Sequence, residues 1–526
     1  MAIHAEEQAR QITSRKLPSW ISLTPASRIP LTAALVTFAL HAIGNPHYGF
    51  FRDELYFIVC GRHPQWGYAD QPVLAPFLAA ASQLFGPSLV LLRAVPAFFA
   101  AAGVYVTCLL AIEFGGAAFA QFLAAVSVFF APILMDFGMK VSPDMVGLWL
   151  WPLVALYVVR LARGAHPRLW VSVGVVAGLA IQGKYTVIFF LLSLLAGLLL
   201  TRTRAILRTR WTVLGSVVCA LIALPSFLWQ AQHGYPHLEI LRLVQRGTAV
   251  NVGPLTYVLQ QVVLTGVLLA AIWIAGLIWL FRQPGLRFLA FGFLVLMTLM
   301  IALHAKHYYP ADIYPYLFAA GAVAIERCTT NRWLTRTALT AAAVIMGLMT
   351  TPLVMPVLPE PQMVSYTHWL LASLRLERKT LATDTVPQRD LANDWAAMHG
   401  WPELVATVAR VYWSLPESDR RKAVIATQNF GEASAIDFLG QPYGLPRAIS
   451  GHNQYYLWGT HGYSGNVTIC VGGDCGASAH LFDRCELAAT FTAPWVQPDE
   501  DGLPIVVCHG IRRPLAEIWP ATKFYR

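Results

Sequence analysis

Apolar runs long enough to cross a membrane recur from Leu31 to about Leu353 with short connections between them, and this repetition limits the fold more than any other feature. A bilayer core takes about 20 helical residues per crossing, and inside it only helices and closed barrels satisfy their own backbone hydrogen bonds. The runs at 29–44, 88–111, 115–135, 143–161, 168–183, 185–201, 211–229, 253–281, 287–304, 312–326 and 335–353 therefore read as transmembrane helices. The segment 72–86 is apolar but short, and reads as a re-entrant or interfacial helix. With 56% hydrophobic and 13% charged residues over 526 positions, the chain has too little polar surface for a soluble protein of this size. The fold class expected is a polytopic α-helical membrane protein.

Basic residues give the orientation. Arg160, Arg163 and Arg168 share one loop, Arg202 to Arg210 another, Arg282 and Arg287 a third, and Arg327 to Arg336 a fourth. Counting spans puts these loops on one side together with the N-terminal tail, which is cytoplasmic by the positive-inside rule. The net charge of +10 is thus mainly an orientation signal. Nucleic acid would want one contiguous basic face, and it is not expected as a partner. The N-terminus shows no cleavable signal pattern. The expected organisation is a cytoplasmic tail at 1–28, a transmembrane module at 29–355 and a periplasmic part at 356–526, in a bacterial inner membrane.

The last part is compositionally different. Ala423 to Thr427 reads as a buried strand, Asn429 to Gly431 as a turn, and Glu432 to Leu439 as a helix closed by Gly440; Val467 to Val471 and Ile505 to Cys508 read as further strands. This order suggests a small α/β domain. Cys470, Cys475, Cys485 and Cys508 lie in it, and three disulfide pairings are open, as are free buried thiols.

The polar residues at the outer rim are unusual. Asp53 and Glu54 form an acidic pair a few residues past the first apolar run, a costly place for two carboxylates and so a candidate site. Trp66-Gly67-Tyr68-Ala69-Asp70-Gln71-Pro72 follows. The second outer loop carries Asp136, Lys140 and Val141-Ser142-Pro143-Asp144, where Ser142 fits an N-cap, Pro143 the first helical position and Asp144 the first turn. Asp144 is then either a site carboxylate or a helix-end charge. Lys184, in a turn between two apolar runs, needs water or an anion. Lys306, Tyr308 and Tyr309 occupy the last outer turn, where Lys306 reads either as a phosphate ligand or as a snorkelling lysine in an aromatic belt. Arg93 is a third cation with the same two readings. Carboxylates and cations on one rim suit group transfer from a phosphate-linked donor, the cations holding the leaving phosphate and a carboxylate taking the acceptor proton.

Together, the Asp53-Glu54 pair, the Trp66 to Pro72 loop, Ser142-Pro143-Asp144, Gly183-Lys184-Tyr185-Thr186 and the turn from Lys306 to Pro315 resemble bacterial relatives of the protein O-mannosyltransferases and the lipid A aminoarabinose transferases, membrane glycosyltransferases of the GT-C fold. In the tail, Gly400 to Leu404, Asn429 to Ala433 and Ser450 to Gly459 resemble the extracytoplasmic domain of one branch of that group. The resemblance implies a polyprenyl-phosphate sugar as donor, a periplasmic lipid, lipopolysaccharide or other glycoconjugate as acceptor, and transfer with inversion. It implies Asp53 as catalytic base, Glu54 and Asp144 as groups that orient the acceptor, and Lys184, Lys306 and Arg93 as ligands of the donor phosphate. Tyr308, Tyr309, Tyr68, Asp70 and Gln71 would contact donor or acceptor.

Two departures qualify the resemblance. The tail lacks the sugar-binding-like module of protein-mannosylating members, which argues against a protein acceptor. Some members bind a divalent ion near the acidic pair, which is the one cofactor left open; His47, His63, His233, His237, His304 and His307 show no ligand spacing, and no metal is expected from them. The alternative reading is a transporter or lipid flippase, which would place its ionisable groups near the bilayer midplane and show related halves.

Overall fold

The computed structural model describes residues 25–247, 253–374, 390–473 and 479–525. Each apolar run is helical. The first helices are α1 (Pro25–Gly44), α2 (Arg52–Arg62), α3 (Leu74–Ala81), α4 (Leu89–Glu113), α5 (Ala118–Phe130), α6 (Pro132–Phe137), α7 (Met145–Ala162) and α8 (Leu169–Gly183). They continue as α9 (Val187–Leu199), α10 (Arg210–Gln232), α11 (Pro236–Gly247), α12 (Pro254–Thr265), α13 (Val267–Arg282), α14 (Arg287–Ala302), α15 (Tyr314–Cys328), α16 (Trp333–Val354) and α17 (Glu360–Leu374). Four of these, α4, α7, α10 and α16, are each long and apolar enough to cross a bilayer alone. The run expected as one span at 253–281 is two helices bent by 111°. Its hinge is Gly266, whose φ of 88° is open to glycine at little cost.

Lipid gives apolar helices no reason to seek one another, so close packing must hold them. At the crossing of α8 and α10 a Cβ on Gly174 would lie 2.0 Å from the Gly215 carbonyl oxygen, and one on Gly215 2.2 Å from that of Trp170. Glycine at both positions lets the backbones touch. The loops rich in basic residues gather at one end of the bundle. There Arg160 Nε meets Glu113 Oε1 at 2.7 Å, and Arg327 Nη2 donates to the Phe114 carbonyl.

The C-terminal part holds α18 (Asn393–Ala396), α19 (Trp401–Ser414), α20 (Glu417–Arg420), β1 (Ala423–Thr427), α21 (Phe430–Leu439), β2 (Ala448–Ser450), α22 (Asn453–Trp458), β3 (Val467–Val471), β4 (Phe482–Phe491) and β5 (Leu503–Ile511). The strands form one mixed sheet in the order β2-β1-β3-β5-β4, parallel from β2 to β3 and antiparallel beyond. The strands β2 and β4 have no counterpart in the sequence reading: β2 has three residues, too few for a pattern, and most of β4 faces water. The expected turn at Asn429 is the N-cap of α21, its Oδ1 accepting from the N–H groups of Gly431 and Glu432. Cys485 and Cys508, directly opposite on β4 and β5, form a disulfide, and Cys470 is also disulfide-bonded. Cys475 lies outside the described residues.

This domain docks on the helix that begins with the acidic pair. Along α2 and in the turn before it, Tyr56 packs on Phe430 with tilted rings whose centroids are 4.6 Å apart, Arg62 lies 4.7 Å over the ring of Phe438, and Phe50 meets Phe438 edge-on at 5.5 Å.

Candidate active site

The loop between α1 and α2 is shaped by a buried ion pair. Arg93, from α4, and Glu54, from α2, have no exposed side-chain surface and meet twice, Nη2 to Oε2 at 3.1 Å and Nε to Oε1 at 3.3 Å. The remaining guanidinium donors go to the carbonyls of Asn45 (2.6 Å), His47 (2.9 Å) and Gly49 (2.8 Å). Glu54 also accepts from the N–H groups of Phe51 (2.9 Å) and Val141 (3.0 Å). A charge this deep is tolerable only when paired and hydrogen-bonded throughout. The geometry therefore gives Arg93 no donor for a substrate phosphate and Glu54 no surface for an acceptor. Both roles expected from the sequence give way to a structural one, because every polar atom of the pair is already engaged in fixing the turn that leads into α2.

Asp53 is placed differently. Its side chain is 36% exposed, and its Oδ1 lies 3.5 Å from Arg52 Nε. Its Oδ2 has no hydrogen-bond partner among the described residues. The pair thus divides into one carboxylate locked inside and one open at the rim.

A cationic group surrounds Tyr308, a residue within electrostatic reach of Asp53. Lys184, just past the end of α8, is ion-paired with Asp144, and its Nζ lies 4.5 Å and 5.3 Å over the rings of Tyr309 and Tyr308. Asp144 is the N-cap residue of α7 but makes no side-chain capping bond, so this helix begins at Met145 and not at Pro143. Its carboxylate is drawn to the ammonium and away from the helix end. Lys306 Nζ lies 6.0 Å from the Tyr308 ring and has no carboxylate partner among the described residues. The turn carrying Lys306 is held from below by α12, where Tyr257 donates to the Lys306 carbonyl (3.3 Å) and Gln261 Nε2 to that of His307 (2.8 Å).

The Trp66 to Pro72 loop divides. Tyr68 is fully buried, its hydroxyl donating to the Cys60 carbonyl at 2.8 Å, and it is a packing residue with no surface for a substrate. Asp70 Oδ1 accepts from Tyr56 at 2.9 Å, and the Ala69 N–H donates to Gln454 at 2.9 Å. Burial pushes the Asp70 carboxyl up to about 7, against the Tyr56 hydrogen bond, which favours its charged form. Gln71 is buried, and neither end of its amide has a partner among the described residues.

Four residues join this group that the motifs did not single out for a role. Lys140 Nζ reaches Asp136 Oδ1 and Asp394 Oδ2, each at 3.0 Å. Burial opposes the ammonium, but the two carboxylates overcome it and hold Lys140 above the usual lysine range, while Lys140 holds Asp394 below the usual carboxylate range. Asp312 is buried with its carboxylate pressed on α7, where a Cβ on Gly147 would lie 1.8 Å from Oδ2. Asp394 is 254 residues from Lys140 and carries no local signal. Among the described residues no three His, Cys, Asp or Glu side chains gather as ligands for a metal ion. The donor set does not fit a resident metal, since Glu54, Asp144, Asp136 and Asp394 are each ion-paired with a lysine or arginine.

Residues 63–229 match the family model described as dolichyl-phosphate-mannose-protein mannosyltransferase. The match includes Asp70, Arg93, Asp144 and Lys184, and leaves Asp53 and Lys306 outside. No curated protein matches the chain in sequence. In fold, the chain is similar to the crystal structure of ArnT from Cupriavidus metallidurans in the apo state, with a TM-score of 0.56 and 15% identity over 91% of this chain and 97% of that one. An oligosaccharyltransferase from Archaeoglobus fulgidus aligns at 12% identity over 78% of this chain and 61% of that one, with a TM-score of 0.41, too low to bear on the fold. The chain shares the fold of that ArnT structure, mostly helical and with a small C-terminal sheet, in keeping with the resemblance read from the motifs.

Proposed function

We propose that the chain is an inverting glycosyltransferase of a bacterial inner membrane that moves a sugar from a polyprenyl-phosphate donor to a periplasmic glycoconjugate acceptor. The observation that carries this reading is the open carboxylate of Asp53, on a loop made rigid by Arg93 and Glu54, within electrostatic reach of Tyr308, whose ring lies near the ammonium groups of Lys184 and Lys306. Proton transfer by a positioned carboxylate together with cations aimed at developing phosphate charge is what such a reaction needs.

In the proposed step an acceptor hydroxyl gives its proton to Asp53 as its oxygen attacks the anomeric carbon from the face opposite the phosphate. The bond from that carbon to the phosphate oxygen breaks, and the electron pair leaves on polyprenyl phosphate. Lys306 meets that charge first, since no carboxylate is ion-paired with it among the described residues; Lys184 is shared with Asp144. Tyr308 and Tyr309 border the sugar, and Asp70 and Gln71 support the loop from the domain side. The reading keeps 1–28 and the basic loops cytoplasmic, with about eleven crossings in 29–355 and the domain at 356–526 periplasmic. The fold shared with ArnT and the partial family match support it, as does the gathering of basic loops at one end of the bundle.

The test is direct. Purified protein is incubated with radiolabelled polyprenyl-phosphate hexoses and pentoses and with membrane lipids and lipopolysaccharide. Label should move from donor to a new product. Binding of donor with no product formed, together with its movement across vesicles, would favour a flippase.

A further inference from the structure

The segment just before the sheet domain reaches into the rim of the membrane module. The Arg52 N–H, one residue before Asp53, donates to the Ala397 carbonyl at 3.0 Å, and Arg93 Nη2 reaches Met398 Sδ at 3.5 Å. A Cβ on Gly49 would lie 2.2 Å from the Met398 carbonyl oxygen, so the two backbones are in contact. Tyr48 packs edge-on against Trp395 with centroids 5.8 Å apart. Residues 395–398 therefore fix their position against the same turn that Arg93 and Glu54 fix from below.

Asp394 is carried on this segment. Its side chain is 42% exposed while Lys140, which holds it, is 10% exposed. Lys140 already has Asp136 one helical turn away. A second carboxylate is not needed to neutralise one ammonium, and Asp394, which Lys140, Arg52 and Lys306 together hold below the usual carboxylate range, is the more exposed of the two. Asp394 Oδ2 faces Lys140, and Oδ1 has no hydrogen-bond partner among the described residues. Lys140 Nζ, which holds Asp394, also lies 5.0 Å over the ring of Phe51, two residues before Asp53, and Asp144, Asp394 and Asp53 all act on the Tyr308 hydroxyl.

We propose that Asp394 is an acceptor-contacting residue of the transferase site, its free Oδ1 accepting a hydrogen bond from a hydroxyl or amino group of the acceptor while Lys140 fixes the carboxylate as a positioning residue. The proposal rests on the transferase reading above and narrows its acceptor class. A glycan or another group rich in O–H or N–H donors suits a carboxylate held open in this way. The acceptor then lies between the membrane module and the C-terminal part, which makes that part a component of the site.

The test uses the full chain in nanodiscs, radiolabelled polyprenyl-phosphate sugars as donors, and lipopolysaccharide and an alkyl glycoside as acceptors. Asp394→Asn keeps the size and the oxygen facing Lys140, and Asp394→Glu keeps the charge and moves it by one methylene. Both should raise the acceptor KM about tenfold or more, the loss expected for one charge-assisted hydrogen bond, while the donor KM stays at the parent value. Lys140→Met should raise the acceptor KM in the same direction. An unchanged acceptor KM in the folded Asn or Glu variant overturns the proposal, and so does a parallel rise in donor KM, which is the mark of a residue that only docks the domain. A parent protein that transfers sugar from none of these donors overturns the transferase reading and this proposal together.

Discussion

Arg93 and Glu54 meet at 3.1 Å across 39 positions of sequence, both without exposed side-chain surface, and between them they hold the backbone of the first outer loop from Asn45 to Phe51. Removing one partner of such a pair leaves a buried charge, which typically costs about 3–5 kcal/mol. Arg93→Met should therefore lower the yield and the melting temperature of the purified protein. A double variant with Glu54→Leu should recover little of this, because the carbonyls of His47 and Gly49 and the N–H of Val141 would still lose their partners. Full recovery would show that the pair acts only as two charges.

Asp53 differs in being dispensable for folding. Asp53→Asn should melt with the parent and lose on the order of 10²–10⁴-fold in transfer rate, the usual contribution of a positioned base. Near-parent turnover would move the base to another carboxylate of the rim.

The acidic pair illustrates what a sequence makes legible. Its position just past an apolar run marks it as costly, and that much is local information. Which member is buried depends on Arg93, and the pairing distance between them carries no periodic signal. Lys184 and Asp144 could each be picked from short motifs, yet their ion pair, which diverts Asp144 from capping α7, is a tertiary fact. The helices were legible because hydrophobic length is a property of a window. Gly266 was not recognised as a hinge, since one glycine in an apolar run has several readings. Asp394 was invisible for the same reason in stronger form: it follows no pattern, and its meaning comes wholly from Lys140.

Lys306 and Lys184 should differ in their response to substitution. Lys306→Met removes a cation without a carboxylate partner, so it should weaken binding of a polyprenyl-phosphate sugar about ten- to a hundredfold and leave folding intact. Lys184→Met also strands Asp144, and should lower the melting temperature besides weakening the donor. Equilibrium binding and thermal melting of the two variants separate these effects. Unchanged donor binding in both would make them interfacial lysines.

The gathering of Arg160, Glu113 and Arg327 at one end of the bundle leads to a topological prediction. Reporter fusions after Arg204 and after Glu360 should give opposite signals. Identical signals would put the proposed site and the proposed periplasmic domain on different sides of the membrane.

The C-terminal domain contains a pair of buried carboxyl groups whose ionisation should be visible in stability. Asn429 Nδ2 donates to Glu432 Oε1 and to Glu500 Oε1, both at 3.0 Å, and the two glutamates face each other. Burial pushes Glu500 up to about 6 from its ordinary 4.5, against the hydrogen bond from Asn429, which favours the charged form. Between these values the folded protein keeps a proton that the unfolded chain has released, so the contribution of this group to stability falls as pH rises from 4.5 through about 6 and stays low above. The interval corresponds to about 2 kcal/mol. His461 and His237, lowered to about 4 mainly by burial, act in the opposite direction over an overlapping range, so the readout is a difference between proteins and not the pH profile of one. Glu500→Gln keeps an oxygen for Asn429 and offers an amide to Glu432. The variant should melt close to the parent near pH 4.5 and increasingly above it as pH rises to about 6, with a constant difference beyond. A difference that does not change with pH would mean that Glu500 is already ionised in the folded domain.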